Sequence, residues 1–377
     1  MNKVAIEKCP SYGANELDQA VGQLFDALSL DRVIHPGDRV LIKPNLIMKR
    51  SAEEATTTHP EVVAAIVRRL VKLGVTDMLI AESGGGPYTE ALLKPLYEGT
   101  GFADMAEREG VRLNMDTGEK MLECPDGRRV KRFDVLAPFF DADVIISVPK
   151  LKSHCMMGLS GAVKNLFGFV PGLKKPELHC RFPEEEAFGE MLVDLCQVVR
   201  PTVSIVDAIT CMEGDGPSAG NPRFAGMLIA SEDPYALDLV GAQIIQIEQE
   251  RVTYLTNAIG RGLCPADVGE IELLGGDLSD FVIKDFVQPC TKSVNMAERL
   301  PKFMQGIATK LAMPRPVVNR PRCIGCRKCA ESCPMRIITM SKGKAHISYE
   351  ECINCYCCHE MCPEKAIHIR RIKLFSL

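Results

Sequence analysis

Residues 38–87 read DRVLIKPNLIMKRSAEEATTTHPEVVAAIVRRLVKLGVTDMLIAESGGGP, and three pieces of this stretch decide the fold. Residues 38–47 form a short apolar strand that runs into Lys43, Pro44 and Asn45. In residues 60–73, Val62, Val63, Ile66, Val67, Leu70 and Leu73 recur at helical spacing and share one face. Pro60 suits the first helical turn and Gly74 the stop. Residues 75–81, VTDMLIA, are the next strand, followed by a glycine-rich turn from Glu82 through Gly84, Gly85 and Gly86 to Pro87. A strand, a helix and a strand in that order are the unit of a parallel sheet.

The alternation continues. Residues 143–148, DVIISV, are a buried strand ending at Pro149 and Lys150, and residues 203–206, VSIV, another ending at Asp207. Residues 226–230, GMLIA, lead through Ser231, Glu232, Asp233 and Pro234 into a helix carrying Leu237, Val240 and Ile244. The expected fold is α/β, a mostly parallel sheet domain with helices on both faces, over residues 1–292. Polar and glycine residues gather just after the strands, where ligands bind in open α/β sheets. Residues 293–312 are expected to be a helix, with Met296, Leu300, Phe303, Met304, Ile307 and Leu311 as its apolar positions. Pro314, Pro316 and Pro321 then stiffen a connector, so residues 293–321 are assigned as helix and linker.

A chain of 377 residues holds two or three domains. At 46% hydrophobic and 25% charged it is of ordinary globular composition, and its net charge of −4 does not suggest a broad nucleic-acid face. No apolar run approaches the roughly 18 residues of a membrane span, and the first ten residues do not resemble a signal peptide. The expectation is a cytoplasmic protein that binds neither nucleic acid nor membrane; its oligomeric state is not legible. Its 17 cysteines point to a reducing compartment.

Nine of those cysteines fall between Cys323 and Cys362. Residues 323–334 read CIGCRKCAESCP and residues 352–363 read CINCYCCHEMCP, one spacing used twice, 29 residues apart. Three thiolates at steps of three wrap one face of an iron–sulfur cubane, and the fourth, before proline, turns to the other cluster. Cys323, Cys326, Cys329 and Cys362 are therefore expected to hold one [4Fe-4S] cluster, and Cys333, Cys352, Cys355 and Cys358 a second. Zinc uses four cysteines in two pairs and does not call for this duplicated spacing. Cys357 fits no ligand slot; it is either a bystander or a substitute ligand. The segment resembles the two-cluster bacterial ferredoxins, which implies a small α+β domain over residues 322–377 and one-electron transfer.

In the larger part, the most specific run is Val148, Pro149, Lys150, Leu151, Lys152, Ser153 and His154, with Gly161, Ala162, Val163, Lys164 and Asn165. Glu213 to Pro217 and Asp233 to Asp238 support it. Together these resemble the family called domain of unknown function 362, often fused to a ferredoxin module. The resemblance covers about residues 35–250 and carries no assigned reaction.

The residues themselves permit some chemistry. Lys150, Lys152, His154, Lys164, Lys174, Lys175 and His179, near a possible helix start at Ser160, suit a carboxylate or phosphate; a solvated basic loop is the alternative. Lys43 can join them. Candidate catalytic residues are Lys150, Lys152, His154, Asp207 and Glu213. Candidate cofactor-binding residues are Lys43, Asn45, Gly84, Gly85, Lys164 and Asn165. Glu82, Asp207, Glu213 and Asp215 can bind a metal, act as acid or base, or cap turns. His59 fits a helix cap, and Cys155 a buried inert thiol. Three functions remain: an iron–sulfur oxidoreductase passing electrons to an anionic substrate or cofactor, an accessory electron carrier docking to a redox partner protein, or a non-redox enzyme with structural clusters.

Overall fold

The computed structural model of the chain describes residues 2–291 and 314–370. The expected helix over residues 293–312 lies outside the described residues. The chain opens with β1 (Lys3–Lys8) and α1 (Ala14–Ala27), then runs through β2 (Arg39–Pro44), α2 (Pro60–Lys72), β3 (Asp77–Ile80), α3 (Glu90–Gly99), α4 (Phe102–Glu109) and β4 (Arg112–Leu113). A hairpin, β5 (Glu119–Glu123) and β6 (Arg132–Leu136), precedes β7 (Val144–Val148), β8 (Lys150–His154) and β9 (Gly158–Ser160). After α5 (Ala162–Asn165), α6 (Lys174–Arg181) and α7 (Glu185–Val199) come the long strands β10 (Val203–Glu213) and β11 (Asn221–Ser231). Helices α8 (Pro234–Ile244) and α9 (Thr253–Gly260) and strand β12 (Glu272–Leu274) complete the larger unit.

The sheet runs β12-β1-β11-β10-β7-β2-β3-β4. Strands β10, β7, β2, β3 and β4 pair in parallel, and β11 is antiparallel to β10 and β1. The two-residue period of a strand sends Val40 and Ile42 to one core and Leu41 to the other. The first core takes α1 and α2 through Leu17, Val21, Val62, Val63, Ile66 and Leu70. The second takes α7, α8 and α9 through Phe188, Leu192, Leu237, Val240 and Leu255. The expected α/β fold with helices on both faces is what the chain forms. Each fully buried Leu, Ile or Val contributes about 1.5–3 kcal/mol to holding these layers.

The helix starts follow their sequence signals. His59 Nδ1 accepts from Glu61 N at 3.2 Å with Pro60 in the first turn. Asp233 Oδ1 accepts from Tyr235 N at 2.8 Å and Ala236 N at 3.2 Å to open α8. The segment from Lys150 to His154 departs from the basic-loop reading. It is a five-residue, wholly buried strand, β8, parallel to the outer half of β10 and antiparallel to β9.

The carboxyl-terminal module pairs β13 (Arg315–Val318) with β16 (Ile367–Arg370) and β14 (Ile338–Ser341) with β15 (Lys344–Ile347). Residues 315–318, assigned to the linker, are extended as expected but belong to this module's sheet, because Pro316 sits where an edge strand needs no donor. Short helices Lys328–Glu331 and Cys357–Glu360 carry the middle of each cysteine run. The module is seated on the larger unit. Arg50 Nη2 donates to Cys362 O at 3.1 Å and Pro363 O at 2.8 Å, and Ser218 Oγ donates to Glu360 O at 2.6 Å. Tyr356 and Ile369 complete the larger unit's second core. Among the described residues no helix is long and apolar enough to cross a membrane.

Candidate functional site

The carboxyl ends of β2, β3 and β10, with β8 beside them, bring the predicted lysines into one region, and there the interior charge is mostly paired. Lys43 Nζ lies 2.6 Å from Glu82 Oε2, 3.2 Å from Asn165 Oδ1 and 3.0 Å from Pro44 O, fully out of water. Burial pulls the Lys43 pKa down and Glu82 resists it. A side chain at Gly168 would overlap this pair, so the backbone there must pass bare. Lys150 Nζ donates to Asp207 Oδ2 at 2.8 Å and to Tyr12 Oη at 2.8 Å. Asp207 also accepts from His59 N at 2.9 Å and the Tyr12 hydroxyl at 3.1 Å, while the Tyr12 ring stacks on His59. Lys150 and Asp207, predicted as catalytic, thus form a clasp wholly out of water. Lys152 Nζ donates to Asn45 Oδ1 at 2.6 Å and Thr56 O at 2.9 Å, and burial drives its pKa well below the ordinary value.

His154 marks the junction of the two modules. Its Nδ1 accepts from Met156 N at 3.1 Å and Met157 N at 3.2 Å, so the ring proton sits on Nε2. That nitrogen faces Glu360 Oε1 at 3.3 Å. Burial pushes the His154 pKa down to about 4, leaving a neutral imidazole at pH 7. Glu360 is held below the usual carboxylate range: burial opposes its charge, but His154 and Lys164 outweigh that.

Beside this junction lies a cavity of about 750 Å³ of empty space, open to solvent. Its floor is the turn from Glu82 to Gly86, with Asn45 and Ile47. Lys164 and Asn165 of α5 and Lys175 and His179 of α6 wall it. Ser332, Cys357, Glu360 and Met361 of the cysteine module roof it. Lys164 is half-buried, makes no hydrogen bond or ion pair with a described residue, and has its pKa lowered by burial. Lys175 donates only to neutral groups, Ser83 O, Ser83 Oγ at 2.9 Å and Gly84 O at 3.1 Å. Burial lowers its pKa to about 7. His179, 4% exposed, stacks on Phe188 and leaves Nδ1 without a hydrogen-bond partner among the described residues. Two ammonium groups without a bonded carboxylate and one orphaned ring nitrogen converge on the same space, an arrangement suited to an anion. A second chamber of about 880 Å³ shares Gly84, Gly85, Ser332 and Met361 with the first and is lined by Leu92, Leu93, Leu96 and Tyr88.

The cysteines ring two further cavities. One, of about 340 Å³, is lined by Cys323, Cys326, Cys329 and Cys362. The other, of about 330 Å³, is lined by Cys333, Cys352, Cys355 and Cys358. The fourth cysteine of each run crosses to the other's cavity, the arrangement that the duplicated spacing predicts. Ile338, Ile347 and Ala345 pack around them. Among the described residues no three Cys, His, Asp or Glu side chains converge on one point as a single ion needs. The duplicated three-plus-one set of thiols fits a cubane better than one zinc ion, which takes four cysteines in two pairs.

Other predicted residues fall elsewhere. Glu213, at the outer end of β10, accepts from Val287 N at 3.1 Å and does not line the cavity. Asp215 accepts from Cys290 N at 2.9 Å. Lys174 turns outward to Glu119 and Asp134, at 2.5 and 2.7 Å. The helix start near Ser160 is already taken: Asp238 accepts from Ala162 N at 2.5 Å and Val163 N at 3.0 Å. Gly84 and Gly85 line the cavity, but the close approach at Gly85 is made by Met361, which a Cβ would overlap. Cys155 is buried with its thiol pKa pushed well up, as an inert thiol should be. Cys357 lines the anion cavity and neither cysteine cavity. Glu360 and Met361 were not legible as cavity residues, because nothing in the sequence ties the second cysteine run to residues 160–180.

A family model described as "Domain of unknown function (DUF362)" matches residues 40–243, and one described as "4Fe-4S dicluster domain" matches residues 322–366. A thylakoid-associated protein of Synechocystis sp. is 33% identical over 272 residues, 70% of this chain and 81% of that protein. Among solved structures, the lactate racemase apoprotein of Thermoanaerobacterium thermosaccharolyticum aligns with a TM-score of 0.42 at 14% identity, over 66% of this chain and 57% of that one. A Thermotoga maritima protein aligns with a TM-score of 0.35 at 10% identity, over 60% of this chain and 57% of its own.

Proposed function

The chain belongs to the DUF362 family and carries a 4Fe-4S dicluster module, and from that premise we propose that it is an iron–sulfur oxidoreductase acting on an anionic substrate or cofactor. Two [4Fe-4S] clusters would be held, one by Cys323, Cys326, Cys329 and Cys362 and one by Cys333, Cys352, Cys355 and Cys358. When bound, they supply or accept electrons one at a time. The observation that carries the reading is the composition of the anion cavity: α5 and α6 provide its cations, and the loop holding Cys355 and Cys358 provides its roof.

Lys164 and Lys175 would bind the negative group, and His179 Nδ1 would accept a hydrogen bond from it or donate one. The chamber lined by Leu92, Leu93 and Leu96 leaves room for an apolar remainder of the same ligand. Ser332 and Cys357, next in sequence to the cysteines Cys333 and Cys358, bring the reacting end against the cluster-bearing loop. Met361 packs directly on the turn at Gly85. The 17 cysteines support a place in a reducing compartment.

Anaerobic purification followed by iron and sulfide counting and mass spectrometry of released small molecules tests this. About eight irons per chain are expected, four for each cubane, with an organic anion that a Lys164→Ala/Lys175→Ala variant no longer retains. Turnover that persists when the clusters cannot be reduced would instead support a non-redox enzyme.

A further inference from the structure

The cysteine module has a second charged face, away from the anion cavity. Around the cavity of Cys323, Cys326, Cys329 and Cys362, Cys326 is exposed, and Ile324 is 62% exposed. Arg327 lines it, and Arg320, Arg322 and Lys342, all exposed, lie in the segments that flank its lining residues. They form one rim: Arg320 Nη2 donates to Ser341 O at 3.4 Å, and the turn at Gly343 packs directly on Gly325. None of the four makes an ion pair with a described residue. Glu364 is the one carboxylate among the residues lining that cavity.

Apart from the Arg320 hydrogen bond to Ser341, these four exposed cations do little for the fold. Exposed charges contribute little to stability, and an isoleucine so exposed gains nothing from the core. The same pattern, an apolar centre flanked by charge mostly of one sign, gives fast and weak protein docking. We propose that this rim is the electron-entry surface of the protein and that it receives a small one-electron carrier protein with an acidic face around its own redox centre. The inference rests on the reading that this cavity holds a cluster. Cys323, Cys326, Cys329 and Cys362 would hold the cluster that takes up the electron: the reduced carrier would lose one electron and that cluster would gain one. No bond forms or breaks and no proton is required. Entry at Cys326 and use at the anion cavity then occupy different faces of the module.

Stopped-flow reduction of the full, anaerobically purified chain by a reduced acidic two-cluster ferredoxin tests the surface. Raising the salt from about 0.02 to about 0.3 M should slow the reaction at least about tenfold, because steered association is screened beyond the Debye length. An R322E/R327E/K342E variant should lose about as much rate at low salt and lose the salt dependence. Its iron content and its reduction by uncharged, photoreduced 5-deazariboflavin should not change. A glutamine triple variant should fall between the two. Equal rates for wild type and both variants, or a rate that rises with salt, would overturn the proposal. If no iron is found, the cluster reading has failed, and calorimetric binding of the oxidised ferredoxin to wild type and variants still reads the surface by itself.

Discussion

At the scale of single residues, the interior of this fold separates charges that are spent from charges that are held open. Asp207 satisfies Lys150, Tyr12 and the His59 amide at once, wholly out of water. Removing it strands an ammonium in the core. An Asp207→Ala variant should lose about 3–5 kcal/mol in chemical denaturation. Lys164, unpaired at the cavity wall, is the opposite case. Lys164→Ala should leave the denaturation midpoint nearly in place while removing ligand. Lys175 adds a pH signature. Desolvation and the neighbouring Lys43 and Lys164 lower its pKa to about 7 and Glu82 resists, with His179 and Glu360 facing the same cavity. Above that pH the ammonium becomes neutral and its attraction for an anion disappears. Anion affinity, followed by calorimetry between pH 6 and pH 9, should therefore fall as pH rises through about 7, by at most about tenfold per unit for one coupled proton. Affinity that rises over that range would contradict the assignment.

At the scale of elements, the legible parts were those whose periodicity is set by water. Helix α2 buries apolar residues at a period of 3.6 and β3 at a period of 2, while β2 and β7 are short, almost wholly buried apolar runs, and the sequence carries those patterns openly. Strand β8 does not, because Lys150, Lys152 and His154 are polar residues in a fully buried strand. His154 is satisfied locally by the Met156 and Met157 amides, but Lys150 and Lys152 are satisfied by Asp207 and Asn45, and local pattern contains no trace of those two partners, each more than fifty residues away. The outer half of β10 was missed for a similar reason, since DAITCME lacks alternation. The division of the cysteines between two cavities was legible because the duplicated spacing is written in the chain itself. The glycine turn was legible as a turn, and its purpose was not: Gly85 admits Met361. Gly85→Val should press the roof away from the floor, cost about 1–3 kcal/mol as overpacking does, and weaken ligand binding at unchanged iron content. A fully retained affinity would show that the roof and the floor need not meet.

At the scale of the whole molecule, the account depends on two modules making one site. Arg50, Ser218 and the His154–Glu360 contact seat the cysteine loop over the carboxyl ends of the parallel strands, where open α/β sheets bind their ligands. Neither module alone has both the cations and the thiols. Native mass spectrometry of the anaerobically purified full chain, run beside its Lys164→Ala/Lys175→Ala variant, reads the whole claim in one spectrum. The account predicts a mass equal to the polypeptide, two [4Fe-4S] clusters and one organic anion, with the anion alone missing from the variant. A wild-type mass explained by zinc without sulfide, or an anion that the variant keeps, would contradict it.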